Sequence, residues 1–232
     1  MLVVGIGTGR CGSVSLARLL GKQRGVKFTH ESRPLLPWRR EDATEFDIGI
    51  LDAAFGITDP MEPYRVHAER FRERLDDYQV VGDVASPWLQ YLPELLSEFP
   101  DARVIALIRR DKERFIESFM KKAGERADHW CRGKRKDRWS IIFPEYPVDD
   151  NREALDMYWE DYNARIWEWK EELREQMLVV FTKDLSDFAA QDRIFGFVGL
   201  DRHYHDPAWY NAGPFNHIEA RPVQEDQHGR PL

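Results

Sequence analysis

Residues 3–20, VVGIGTGRCGSVSLARLL, run from an apolar Val/Ile segment through a glycine-rich turn into a helical pattern. A short buried strand feeding a helix through such a turn fits the first β–α step of a parallel α/β sheet. The turn, Gly7-Thr8-Gly9-Arg10-Cys11-Gly12-Ser13, gathers backbone N–H groups, hydroxyls and one guanidinium around a single point. First-turn N–H groups lack carbonyl partners, and the helix dipole favours negative charge there. Such a turn therefore suits a phosphate or a sulfate.

The rest of the chain alternates in the same way. Strands are expected at 2–6, 25–29, 79–82, 103–108 and 177–181. Helices are expected at 13–21, 62–77, 87–99, 112–122, 151–176 and 189–198. Val14, Leu16, Leu19 and Leu20 form the apolar set of the first helix, and Phe115, Phe119 and Met120 the inner face of the helix from 112. Residues 33–61 have no clean period and read as loop with short helix. Residues 124–150 read as a basic, Trp-containing and mobile insertion, and the chain is polar and Pro-rich from about 202. Strands alternating with helices imply an α/β fold, with a central mostly parallel sheet covered on both faces. The 232 residues suit a single domain.

Composition narrows the partners. The formal charge is −7, so a general nucleic-acid-binding role is disfavoured and any basic site must be local. The two cysteines, Cys11 and Cys131, suggest neither a disulfide framework nor a zinc site. There is no apolar run of the roughly 18 residues that a membrane span requires. The N-terminus enters a strand directly, without a signal-peptide pattern. The expectation is a cytoplasmic protein.

The loop departs from two known phosphate grips. A Walker A loop needs Gly-x4-Gly-Lys-[Ser/Thr], whereas Ser13 stands at the lysine position and the cation, Arg10, comes three residues early. Asp83 is the one candidate strand-end carboxylate for Mg²⁺. A P-loop nucleotide-dependent kinase stays open as the alternative. A cysteine phosphatase needs Cys-x5-Arg; Arg18 follows Cys11 with one residue too many, although a thiol at a helix start can have a lowered pKa.

A basic residue, a small residue, Gly and then hydroxyls, opening a helix after the first strand, resembles the 5′-phosphosulfate loop of sulfotransferases. The resemblance covers most of the chain at low identity and is most like the branch with an arginine in the loop, which includes tyrosylprotein and small-molecule sulfotransferases. It implies a P-loop-type three-layer α/β/α fold. The implied cofactor is 3′-phosphoadenosine 5′-phosphosulfate (PAPS), with adenosine 3′,5′-bisphosphate as product and no metal. On this resemblance Gly9, Arg10, Cys11, Gly12, Ser13, Val14 and Ser15 surround the 5′-phosphosulfate, and Arg10 neutralises the bridging oxygen. Val14 stands where Thr is common.

A second anion motif follows the apolar strand RVIALI. Arg110-Asp111, six further residues and Ser118 match the family's 3′-phosphate spacing; Arg109 would put Ser118 one residue out. Lys122 lies one helical turn beyond. Read without the family, the same segment is a solvated helix face with an Asp111–Arg114 pair. After the second strand comes Thr29-His30-Glu31-Ser32-Arg33, where the family carries its general base. The resemblance implies Glu31, with His30 as the competitor because its ordinary pKa suits a base. Sulfuryl transfer needs both reactants held in line, the bridging oxygen stabilised and the acceptor proton removed.

One departure concerns the segment after the third strand. Many relatives have a lysine there; this chain has Gly82-Asp83-Val84-Ala85-Ser86. Arg33, Arg39 and Arg40 are candidate substitutes, and a catalytically inactive PAPS-binding relative is the other reading. On the acceptor side, the cations and tryptophans of residues 124–140 suit a lid over an anionic or glycan-like substrate, or a solvated insertion. Leu35, Leu36, Pro37 and Trp38 suit either an acceptor pocket or the core. The acceptor class stays open among small molecules, glycans and peptides.

Overall fold

The structure is a computed structural model that describes residues 1–123, 140–200 and 204, the side chains of 122, 123 and 140 excepted. Five strands form one sheet: β1 (Leu2–Gly7), β2 (Val26–His30), β3 (Val80–Val84), β4 (Arg103–Ile108) and β5 (Met177–Phe181). Their order is β2-β3-β1-β4-β5, and every neighbouring pair is parallel. The helices are α1 (Ser13–Gly21), α2 (Glu45–Phe55), α3 (Glu62–Leu75), α4 (Leu92–Glu98), α5 (Lys112–Ala123), α6 (Asn151–Leu173) and α7 (Phe188–Phe197).

Period-two alternation along the strands sorts their side chains into two cores. Leu2, Val4 and Ile6 of β1 join Val104, Ala106 and Ile108 of β4 against α3, α5 and α6. Val3, Ile105 and Leu107 face the other way, against α1 and α7. The result is three layers, α/β/α. Sheet packing is tight enough at β3 to demand a glycine: a Cβ on Gly82 would lie 2.0 Å from the Val3 carbonyl and 2.5 Å from the Phe28 ring.

Several expectations change in detail. The stretch 33–61 contains α2, an 11-residue helix started by a Thr44–Asp47 capping box. It buries only Asp47 and Leu51, which leaves no apolar period to read. The helix expected over 87–99 splits into a 3-10 turn, Ser86–Tyr91, and α4, with Pro87 and Pro93 each in a first turn where proline is tolerated. Val14 is 42% exposed and leaves the apolar set of α1, because the loop turns the first helical residues outward. Part of the expected insertion is core: Ile141, Ile142 and Phe143 are buried. Residues 124–139, including Cys131, and the polar tail apart from Tyr204 lie outside the described residues. Among the described residues, no helix is long and apolar enough to cross a membrane.

Candidate functional site

The glycine-rich loop leaves the C-terminal end of the central strand, the edge where open parallel sheets bind ligands. Gly9, Arg10 and Gly12 have φ of 77°, 53° and 97°. Gly12 is the N-cap of α1, with no side-chain cap and no acidic residue in the first turn. Among the described residues, no helical carbonyl or N-cap side chain takes the first-turn N–H groups of Ser13, Val14 and Ser15, and the Ser13 N–H lies toward the Cys11 sulfur.

The loop is fastened from below. The Gly7 N–H donates to Tyr162 Oη (2.9 Å), and the Tyr162 hydroxyl donates to the Ser86 carbonyl (2.7 Å). Thr182 Oγ1 donates to the Cys11 carbonyl (2.7 Å) and reaches the Ile108 carbonyl (3.3 Å), tying the loop to the end of β4. Tyr162→Phe strands a buried backbone donor, so it should lower unfolding free energy by about 1–3 kcal/mol in urea titrations. Cys11 is fully buried, and burial pushes its thiol up to about 11, against the pull of nearby loop amides and Arg109. This reverses the lowered pKa that a helix start allows, and leaves Cys11 to contribute backbone rather than a thiolate nucleophile.

The two anion motifs meet. Arg10 Nε donates to Ser118 Oγ at 2.9 Å, across 108 residues of sequence. The partner of Ser118 is thus the loop arginine. Arg110 instead lies with its guanidinium carbon 3.5 Å from the centroid of the Phe181 ring, and no contact joins it to Ser118 among the described residues. Lys122 belongs to α5, but its side chain lies outside the described set. The Asp111 carboxylate accepts from the Arg114 backbone N–H at 2.9 Å, capping α5 rather than pairing with the Arg114 side chain.

Arg109, which does not fit the motif spacing, turns toward the loop. Its backbone carbonyl accepts from Trp159 Nε1 (3.0 Å), and its Nη1 donates to the Arg114 carbonyl (3.3 Å). Among the described residues, its Nε is buried without a hydrogen-bond partner. Burial lowers the pKa of Arg10, and the like charge of Arg109 lowers it further; burial also lowers that of Arg109. Two partly desolvated guanidinium groups beside an uncapped helix N-terminus form a site that favours an anion.

On the other side of the loop, Ser13 Oγ and His30 Nε2 are 3.0 Å apart, and His30 Nε2 is 3.8 Å from Glu31 Oε1. Glu31 sits at φ 47°, with its N–H donating to the Val84 carbonyl (3.1 Å). Positive φ is uncommon outside glycine and tends to mark functional positions. Among the described residues, the others of this kind are Arg10 and Arg174, the latter at the end of α6. Glu31 also lines a small cavity with Ser32, Leu35, Leu36, His67 and Ile142.

Asp83 is engaged through both oxygens. Its Oδ1 accepts from Thr29 Oγ1 (2.7 Å) and from the Ser32 N–H (3.2 Å), and its Oδ2 accepts from Trp88 Nε1 (2.9 Å). A carboxylate so employed braces the β2–β3 edge and is a poor Mg²⁺ ligand. Among the described residues, no three His, Cys, Asp or Glu side chains are grouped to hold a metal. Arg39 pairs with Glu145 at 2.6 Å, and Arg40 pairs with Glu94, so neither is aimed at the loop.

A sulfotransferase-domain family model matches residues 2–195. The chain belongs to the sulfotransferase family. Among solved structures, the sulfotransferase from Alicyclobacillus acidocaldarius superposes with a TM-score of 0.56 at 16% identity, covering 89% of this chain and 84% of that one. The sulfotransferase domain of the Synechococcus PCC 7002 olefin synthase gives 0.52 at 15%, covering 87% and 74%. The sulfotransferase domain of the curacin biosynthetic pathway gives 0.53 at 11%, covering 88% and 75%. These likenesses show a shared fold. No curated protein sequence matches the chain.

In this sulfotransferase, the features that sequence spacing did not reach are Arg109, Tyr162, Thr182 and His67. Arg109 had one readable sign: it continues the face of Ile105 and Leu107, which look toward α1. His67 is 2% exposed and binds the Pro34 carbonyl through Nε2 (2.8 Å). That carbonyl can only accept, so Nε2 carries a proton, and it is the second proton, on Nδ1, that burial opposes. Burial lowers its pKa, outweighing the opposing charge of Asp83. The unfolded chain thus takes up this proton first. Stability falls as pH drops below about 6.5, with a slope of at most about 1.4 kcal/mol per pH unit from this one group. Urea midpoints at pH 7 and pH 5.5 should show a loss that is smaller in His67→Gln.

Proposed function

We propose that the protein is a PAPS-dependent sulfotransferase that transfers a sulfuryl group to a hydroxyl or amine acceptor by in-line displacement. The observation that carries this reading is the Arg10–Ser118 hydrogen bond, which joins the two anion motifs in one site. The residues present fit the donor: an uncapped helix N-terminus, two arginines of reduced basicity, and a buried Arg109 Nε that lacks an acceptor among the described residues. Bound PAPS supplies the activated sulfuryl group, with adenosine 3′,5′-bisphosphate as the leaving product.

The chain's own groups divide the work. The N–H groups of residues 9–15 hold the phosphosulfate end, with Ser13 and Ser15 as hydroxyl donors. Ser118, Arg110 and Lys122 hold the 3′-phosphate, which requires Arg110 to leave the Phe181 ring. Arg10 balances the charge that grows on the bridging oxygen. Arg109 stands in for the lysine missing after β3, a role that Arg39 and Arg40 are paired too well to take. Glu31 takes the acceptor proton, and His30, held by Ser13, orients it. The buried unpaired thiol of Cys11 suits a reducing, cytoplasmic setting.

Calorimetry tests the donor half. Adenosine 3′,5′-bisphosphate should bind without metal and more tightly than Mg-ATP. Binding of Mg-ATP but not of the bisphosphate would return the loop to a kinase role, against the engagement of Asp83.

A further inference from the structure

Arg110 and Ser118 keep the spacing of an anion motif, yet Arg110 has a different partner. Its guanidinium carbon lies over the Phe181 ring, 3.5 Å from the centroid. Other cation–ring pairs among the described residues stand farther off, at 5.2 Å for Arg103 and Phe197 and 5.8 Å for Arg165 and Trp38. Arg110 is exposed and, among the described residues, has no hydrogen bond or ion pair. The ring contact is what fixes its direction.

That direction is away from the residue it must join. Strand β4 lies between β1 and β5. Ser118 is met from the β1 side, by Arg10 of the glycine-rich loop. Phe181 stands on the β5 side, paired with Ile108 at the end of β4. The ring itself is well fixed. It is half-buried and packs against the larger core, and the next residue, Thr182, is bonded to the Cys11 and Ile108 carbonyls. Ser118 needs no comparable change. Its Oγ accepts from Arg10 Nε, which leaves the hydroxyl hydrogen for a phosphate oxygen. Of the two, only Arg110 must change partner to grip a phosphate.

We propose that Phe181 competes with the nucleotide's 3′-phosphate for Arg110, and so sets how strongly the protein distinguishes a nucleotide bearing that phosphate from one without it. The assignment of the phosphate to Arg110 rests on the sulfotransferase reading; the competition rests on the ring contact. Phe181 is a positioning residue, acting through Arg110. Donor and product carry the same 3′-phosphate, so the ring loosens the hold on both.

The test is calorimetry on the full chain with adenosine 3′,5′-bisphosphate and adenosine 5′-monophosphate, which differ only in the phosphate at issue. The wild type should favour the bisphosphate by at least about tenfold, through charge-assisted hydrogen bonds. Phe181→Leu keeps an apolar side chain and removes the π face. It should tighten bisphosphate binding about two- to fivefold, the span of an exposed cation–π contact, and leave monophosphate affinity as it is. Arg110→Ala should weaken the bisphosphate alone, and in that background Phe181→Leu should alter neither nucleotide. NMR of arginine-labelled protein gives a second readout. The Arg110 side-chain signals, identified by their loss in Arg110→Ala, should lie upfield in the ring current. They should move downfield with the bisphosphate and stay in place with the monophosphate. Weaker bisphosphate binding in Phe181→Leu makes the ring a platform for Arg110 and overturns the proposal. So does an equal shift for both nucleotides, or an effect that survives without Arg110. Bisphosphate binding with unmoved Arg110 signals also overturns it and leaves the donor reading standing. A wild type that binds neither nucleotide overturns both.

Discussion

Glu31→Gln should cut sulfuryl transfer by about 10² to 10⁴-fold, the span associated with a positioned general base, while adenosine 3′,5′-bisphosphate binds as it does to the wild type. Glutamine keeps the shape of the side chain and loses the proton acceptor. The position is well braced for a clean comparison. Glu31 follows directly on β2, its N–H is held by the Val84 carbonyl, and its side chain opens on the cavity. His30 is differently placed, with its Nε2 3.0 Å from Ser13 Oγ on the anion loop. The glycine-rich loop is thus linked through Ser13 to His30, whose Nε2 stands 3.8 Å from Glu31 Oε1. Single-turnover rates with an acceptor in excess, paired with calorimetry, read both halves of the prediction. Undiminished transfer in Glu31→Gln would move the base to His30. Lost bisphosphate affinity would show that Glu31 instead shapes the loop.

The parts of this site that sequence made legible are those set by local pattern. The apolar runs at 103–108 and 177–181 and the helix start at Ser13 coincide with β4, β5 and α1. Glycines at 7, 9 and 12 announce a tight turn, and two of them do adopt positive φ. What spacing does not contain is which side chain of one motif meets which of another. Arg110 and Ser118 stand at a fixed interval in the segment after β4, yet Ser118 is met by Arg10 from the loop after β1. That meeting depends on β1 and β4 lying side by side, with Gly7 paired to Leu107. Choosing between Arg109 and Arg110 required knowing which face of β4 looks toward the loop. His67 is less legible still. It lies on α3 and reaches the cavity only because that helix packs under β3.

Arg10→Ala carries the second large effect, a loss of about 10² to 10³ in kcat from removing one preorganised charge at the position where negative charge develops. It also removes the 2.9 Å link to Ser118, so bisphosphate affinity should fall with it. Arg10→Lys separates the two contributions. Lysine restores a charge on a flexible stem but not the Nε donor of a planar guanidinium. It should recover part of the rate and little of the Ser118 linkage. Arg109→Ala is the partner experiment. In the ligand-free protein it relieves a like-charge contact with Arg10 and removes a buried, unpartnered Nε, so thermal stability should hold or rise. In the bound state it should cost donor affinity and rate, because the anion loses a cation. Opposite signs in the two measurements distinguish a ligand-binding arginine from a structural one, which would lower both. The double variant should lose less than the product of the single losses, since both guanidinium groups act on one anion. Strict multiplication would place the arginines on separate charges. A fall in stability on removing Arg109, with donor affinity intact, would take it out of the site and return the missing cation to the sulfotransferase as an open position.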